Sequence, residues 1–269
     1  MTGFSAEWLA LREPYDGRAR NREVLDAVAT YLGPRRSVQV VDLACGTGSN
    51  LRALSPRLPA QQNWSLVDND MGLLASAKAM PLAGGIDVTF IPLDLNRDLE
   101  TALAGHIDLV ATSALLDLVS DTWLERLVMT VSASSTPFYA ALSFDGQAGF
   151  TPSDLLDAAI VTGVNAHQQR DKGFGPALGP AAVAFMIARF EAIGYSVVHG
   201  PSNWIMGPGD RAIQTEILAG WGRALDEAGA LPLAETTAWL TRRHAAVEAG
   251  CSSLWVGHVD FFAMPSATR

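Results

Sequence analysis

Residues 38–51 read VQVVDLACGTGSNL. An apolar run, Val38 to Leu43, carries Asp42 near its end. It then breaks at Ala44-Cys45-Gly46-Thr47-Gly48, before a helical pattern starts at Leu51. This is strand, tight turn and helix. Glycine has no Cβ and accepts positive φ, so such a turn lets a ligand reach bare backbone, and the helix behind it opens with unpaired N–H donors. The ligand is then a phosphate, a dinucleotide or something without phosphate. A Walker loop needs Lys after its last Gly; here Ser49 and Asn50 follow Gly48. A dinucleotide fingerprint needs G-x-G-x-x-G, and the third position counted from Gly46 is Leu51. The pyrophosphate turn is lost, but Asp68 remains about 20 residues beyond Gly48, where a ribose diol acceptor is expected.

Outward from this turn the chain alternates strand and helix. Asn63 to Asp68 reads as a second strand, Ile86 to Leu93 as a third that closes on Asp94, His106 to Thr112 as a fourth, and Thr136 to Phe144 as a fifth. Short helices lie between them. The rhythm implies right-handed βαβ crossovers and a parallel sheet covered on both faces. Asp42, Asp68 and Asp94 each close a strand, so they converge on the carboxyl edge of the sheet, where open α/β folds bind ligands. Upstream, Ser5 to Leu11 and Arg18 to Leu32 read as two helices parted by Pro14 and Gly17. Downstream, Thr151-Pro152-Ser153-Asp154 reads as a capped helix start, with the helix running to about Asp171. Further helices are expected over Ala181 to Ile193, from Gly207-Pro208-Gly209-Asp210 onward, and over Ala234 to Ala249. Tyr195 to His199 and Ser253 to Ala263 complete the strands.

Composition narrows the function. The 269 residues, 49% of them hydrophobic, suffice for one large core. A net charge of −9 and a pI near 5.0 speak against a nucleic-acid surface, which usually shows a basic stripe. Cys45 and Cys251 offer neither metal spacing nor a disulfide framework, and with no signal peptide or long apolar run expected, the reading is a soluble protein of the reducing cytoplasm. His106, His199 and His258 show no ligand spacing, so no metal is expected.

The set VVDLACGTGSNL, LVDND, IPLDL, IDLVATSALLDLV and TPFYAALSF, spanning roughly Val38 to Phe144, resembles the motif series of the class I S-adenosylmethionine-dependent methyltransferases. Ala44 stands where the common first Gly would be. The resemblance implies a doubly wound, Rossmann-like sheet of about seven mainly parallel strands, the last antiparallel and supplied by SLWVGHVDFFA. It also implies one methyltransferase domain over 1–269: a helical cap (1–34), a cofactor-binding half (35–145), a lid (146–180), and C-terminal strands (181–269) with a helical insertion (210–250). S-adenosylmethionine would be the cofactor. Backbone at Ala44, Gly46 and Gly48 would pack against its methionine part, Asp42 would favour its ammonium, Asp68 would accept from the ribose hydroxyls, and Asp94 would sit near the adenine amine. Asn69, Leu95 and Ser113 fall in the same motifs and would border it. Carboxylates suit a cationic ligand and repel a pyrophosphate.

Methyl transfer depends mainly on positioning, with a base needed only if the acceptor must lose a proton. The segment after strand four, Thr112-Ser113-Ala114-Leu115-Leu116, lacks the Asp/Asn-Pro-Pro-aromatic signature of nucleobase and amide N-methyltransferases, so the acceptor is expected to be a small molecule. Asp117 either meets it or caps the next segment. At about 100° per residue, His167, Arg170 and Asp171 share a face with Leu156, Ile160 and Val164, whereas Gln169 and Lys172 point elsewhere. On that projection His167 is a base or hydrogen-bond donor and Arg170 holds an anionic group; a solvated helix end is the alternative. Tyr15 would close the other side of the pocket or pack in the core. Two further readings stay open: a cofactor-binding protein that transfers nothing, and a nicotinamide-dependent oxidoreductase. The apolar helices after Asp210 would serve a homodimer as well as they would the sheet.

Overall fold

Strand-forming residues of alternating facing build one sheet. The structure, a computed structural model, describes residues 4–81 and 83–266, so the first residues of the segment read for a signal peptide lie outside it. Strand β1 (Ser37–Leu43) pairs in parallel with β2 (Gln61–Asp68) and with β4 (Leu109–Ser113). Beyond them β3 (Ile86–Pro92) joins β2, and β5 (Phe138–Thr151) joins β4, again in parallel. Strand β8 (Ser253–Pro265) runs antiparallel between β5 and β6 (Tyr195–Pro201), giving the order β3-β2-β1-β4-β5-β8-β6. A short β7 (Trp204–Met206) also pairs with β8. The sheet has eight strands rather than seven because the sixth is interrupted: Ser202 N–H donates to the His258 carbonyl at 2.8 Å, and His258 N–H donates to Asn203 Oδ1 at 3.1 Å.

The period of two sends alternate side chains to opposite faces. Val41, Leu43, Phe138, Ala140 and Phe261 pack against α5 (Leu95–Ala102), α6 (Asp121–Ala133) and α8 (Ala182–Ala192). Val38, Val40, Tyr139, Ala141 and Phe262 pack against α2 (Arg22–Leu32), α3 (Ser49–Leu54) and α4 (Met71–Lys78). A separate helical layer, α7 (Asp157–Gln168), α9 (Arg211–Ala228) and α10 (Leu233–Glu248), buries Ile160, Val164, Leu218, Leu225 and Trp239 among themselves. Among the described residues no helix is long and apolar enough to cross a membrane.

Two boundaries differ from expectation. The N-terminal helix α1 (Ala6–Ala19) runs through Pro14 and Gly17. It is capped by Ser5, whose Oγ accepts from Trp8 N–H at 3.2 Å, and braced by the buried Arg12–Asp16 pair at 3.0 Å. Trp8, Leu11 and Tyr15 dock on the Trp204 cluster. Tertiary contact outweighs the hydrogen bond that proline removes. The segment Thr151 to Asp154 does not start a helix: Thr151 pairs with Ser253 in the sheet, Asp154 is bound by Arg242, and α7 begins only at Asp157. The part of the expected lid before Thr151 is therefore strand.

The long β5 bends by two register shifts against β8, between Ala140 and Ser143 and between Phe144 and Ala148. Leu142 sits at φ 55° in the first, with its N–H donating to the buried Asp260 carboxylate at 2.8 Å. Asp260 also accepts from Asn21 N–H at 2.9 Å, which joins the start of α2 to the same point.

Candidate functional site

The chain reverses direction across the sheet between β1 and β4, and the crevice at such a switch point is where ligands bind. The turn after β1 is built by left-handed backbone: Ala44 at φ 52°, Gly46 at 55° and Gly48 at 82°. Gly46 and Gly48 take this conformation freely; at Ala44 it is strained by the Cβ. The turn is anchored by Cys45 N–H to the Val67 carbonyl at 3.0 Å and by Gly46 N–H to Asp68 Oδ2 at 2.8 Å. Asp68 Oδ1 accepts from Asp70 N–H at 2.9 Å, so each carboxylate oxygen keeps capacity for another donor. Burial raises its pKa. Helix α1 covers the turn: a Cβ on Gly46 would lie 3.2 Å from Leu9 Cδ1, and Arg52 joins Glu13 to the Thr47 carbonyl.

Asp42 is 1% exposed and accepts from Asn50 Nδ2 at 2.8 Å. Burial pushes its pKa up to about 7 against the pull of Asn50 and Arg20. Asp94 caps α5, accepting from Asn96 N–H at 2.9 Å. Leu95 is buried, with its carbonyl accepting from Trp123 Nε1 at 2.9 Å, and Ser113 ends β4. Asn69 and Asp94 line a cleft of about 540 Å³ whose other wall is Asp171 to Phe174. This strap holds itself in shape: Asp171 Oδ1 accepts from Gly173 N–H at 2.7 Å and Gly175 N–H at 3.1 Å, while Asn96 Nδ2 donates to the Gly173 carbonyl at 2.8 Å.

Of the four acceptor-side candidates, His167 and Arg170 are brought together, at Glu227, and Asp117 and Tyr15 lie elsewhere. Asp117, buried in the turn after β4, is pushed up to about 6 by burial, offset by its own and the Phe144 backbone and by the charges of Arg12 and Lys172. Tyr15 donates its hydroxyl to Asp210 Oδ1 at 2.7 Å. His167 and Arg170 turn to the end of α9: His167 Nε2 meets Glu227 Oε2 at 3.0 Å, and Arg170 donates to the Glu227 carbonyl at 2.8 Å. Neither lines the cleft; Lys172 does. The helical projection fails there because α7 ends at Gln168, four residues before it.

Three other residues near Asp117 carried no motif. Arg12 lies 4.9 Å from the centre of the Trp204 ring, and Trp204 Nε1 donates to Asp16 at 2.9 Å. The buried His258 ring stands 4.9 Å from Trp204 and is held neutral, with its pKa lowered to about 3 by burial and then by Arg12. These groups are far apart in sequence, so only the folded chain assembles them.

A family model described as a methyltransferase domain matches residues 40–137. No curated protein matches the chain in sequence. Among solved structures, a cyclopropane-fatty-acyl-phospholipid synthase-like protein from Lactobacillus casei is similar at 16% identity, covering 97% of this chain and 94% of that one, with a TM-score of 0.53. A cyclopropane synthase from Mycobacterium tuberculosis is similar at 10% identity, with coverage of 97% and 94% and a TM-score of 0.52. At these identities the likeness is one of fold. The turn, the strand-end acids and the sheet order agree with the matched domain, and residues 40–137 are similar to a methyltransferase domain set in a Rossmann-like fold.

Proposed function

We propose that the methyl acceptor is a small molecule, with an oxygen, nitrogen or sulfur nucleophile and an anionic group, handled by one domain in a reducing cytoplasm where Cys45 and Cys251 stay free. The observation that carries this is the partial covering of the sheet edge. Helix α1 covers the glycine turn through Leu9 and Glu13, β7 and α1 meet at Trp204, and the 171–174 strap walls the cleft. The cleft between Asn69, Asp94 and this strap is open and about 540 Å³ in volume.

The cofactor's chemistry suits the donor set. When bound, S-adenosylmethionine supplies an electrophilic methyl group on a sulfonium. Asp68 would take the ribose hydroxyls, Asp42 the ammonium, and Asp94, Asn69 and Leu95 would border the adenine, with backbone of Ala44, Gly46 and Gly48 against the methionine chain and Ser113 beside it. Asp117, in the turn after β4, would take a proton from a protic nucleophile; with its pKa near 6, it is ionised at neutral pH. Tyr15, through Asp210, holds α1 to α9 as the far wall.

Asp68→Ala is expected to weaken S-adenosylhomocysteine binding about 30- to 100-fold, the worth of one or two charge-assisted hydrogen bonds. Calorimetric titration with S-adenosylhomocysteine and NAD in parallel checks this. Binding of NAD alone would overturn the reading. With the cofactor bound, methyl transfer to a panel of small carboxylates and phosphates, set against protein and nucleic-acid acceptors, tests the substrate class.

A further inference from the structure

We propose that Lys172 anchors the anionic group, a carboxylate or a phosphate, carried by the methyl acceptor, and that His167, Glu227 and Arg170 position it. The proposal rests on the small-molecule reading above and moves the anion-binding role from Arg170 to Lys172. The cleft has one cation among its lining residues, Lys172, beside two carboxylates, Asp94 and Asp171. Asp171 is turned to the strap's own backbone.

The ammonium is held from behind. Glu227 is fixed by Arg170 at its carbonyl, and its carboxylate takes the Nε2 side of His167 at 3.0 Å. With the proton on Nε2, the Nδ1 lone pair is free to accept, and Lys172 Nζ lies 3.4 Å from it. An ammonium has three donors; one is directed at His167, leaving two for a ligand. None of the ion pairs among the described residues uses Lys172, although burial lowers its pKa against the fields of Glu227 and Asp117. A half-buried cation without an ion-pair partner is matched by an anion in the cleft. In a chain of net charge −9, Lys172 is the cation that this cleft offers to an anionic group.

The chain contains two lysines, Lys78 and Lys172, so protein labelled with ¹³C at the lysine ε carbon gives two signals, and Lys78→Arg assigns them. In protein saturated with S-adenosylhomocysteine, inorganic phosphate is expected to shift the Lys172 signal and raise its titration midpoint, since an anion favours the ammonium. Acetate should do so more weakly, and Lys78 should not move. His167→Gln should weaken the phosphate response about threefold to tenfold, the worth of one hydrogen bond. Lys172→Met should abolish phosphate binding seen by calorimetry while leaving S-adenosylhomocysteine affinity unchanged. A Lys172 signal indifferent to phosphate would overturn the proposal. So would a signal moved by S-adenosylhomocysteine alone, which would make the cofactor's own carboxylate the partner. A phosphate response in protein that binds no S-adenosylhomocysteine would remove the methyl-transfer reading and the acceptor role together, leaving only an anion site.

Discussion

Asp42→Asn is expected to stabilise the ligand-free protein at pH 8, by as much as about 4 kcal/mol, and at the same time to weaken cofactor binding. Asp42 releases its proton near 3.8 in the unfolded chain but only near 7 in the fold, where burial dominates. Below pH 4 both states keep the proton and Asp42 has no effect on stability. Between about pH 4 and 7 unfolding releases a proton, so stability falls as pH rises, and above 7 the loss is complete. Asparagine removes this slope and can still accept from Asn50. Urea unfolding of both proteins from pH 4 to 8 should give curves that meet near pH 4 and separate up to pH 7; parallel curves would refute the assignment. An ammonium beside Asp42 favours its ionised form. S-adenosylhomocysteine affinity of the native protein should therefore rise with pH, by up to about tenfold per unit, between 5 and 7 and level above. Asp42→Asn should show no such rise.

Asp260→Ala is expected to destabilise the protein by about 3–5 kcal/mol, the scale for removing one side of a buried charged group. The Asp260 carboxylate is fully buried and takes the N–H groups of Leu142 and Asn21. Arg20, itself buried and donating to the Tyr139 hydroxyl at 3.0 Å, shares its field. Alanine leaves the buried Leu142 N–H and the half-buried Asn21 N–H unmet and a guanidinium short of countercharge, and Leu142 loses the bond that offsets its left-handed backbone. Thermal unfolding should fall by about 10 °C, with hydrogen exchange fastest to appear at Leu142 and Asn21. A loss below about 1 kcal/mol would show that these strands are held by packing alone.

The turn after β1 and the acids near the strand ends were legible because their signals are local. An acid near the end of an apolar run needs no tertiary knowledge, and Asp42, Asp68 and Asp94 fall within two residues of the ends of β1, β2 and β3. The surroundings of Asp117 were not, because Arg12 and Lys172, whose charges reach it, come from distant segments. The reading failed at Arg170 for a specific reason: a 100° projection holds only while the helix lasts, and three residues past its end Asp171 had already turned the chain. Pro14 misled in the opposite sense. A local rule placed a break where docking on Trp204 keeps α1 continuous. Thr151 and Asp154 show the same override, since partners in β8 and α10 claim them.

The place of β8 in the sheet has a consequence for how the chain reaches its fold. Strand β8 inserts between β5 and β6 although it follows both in sequence. Until it arrives, β5 and β6 each present an open row of backbone donors and acceptors, the condition under which strands of different molecules join. The most exposed moment in the protein's life is therefore the interval between synthesis of β6 and delivery of residues 253–265, and a chaperone or a cold growth temperature that shields or slows that interval should raise the yield of soluble protein more than any substitution at the active site.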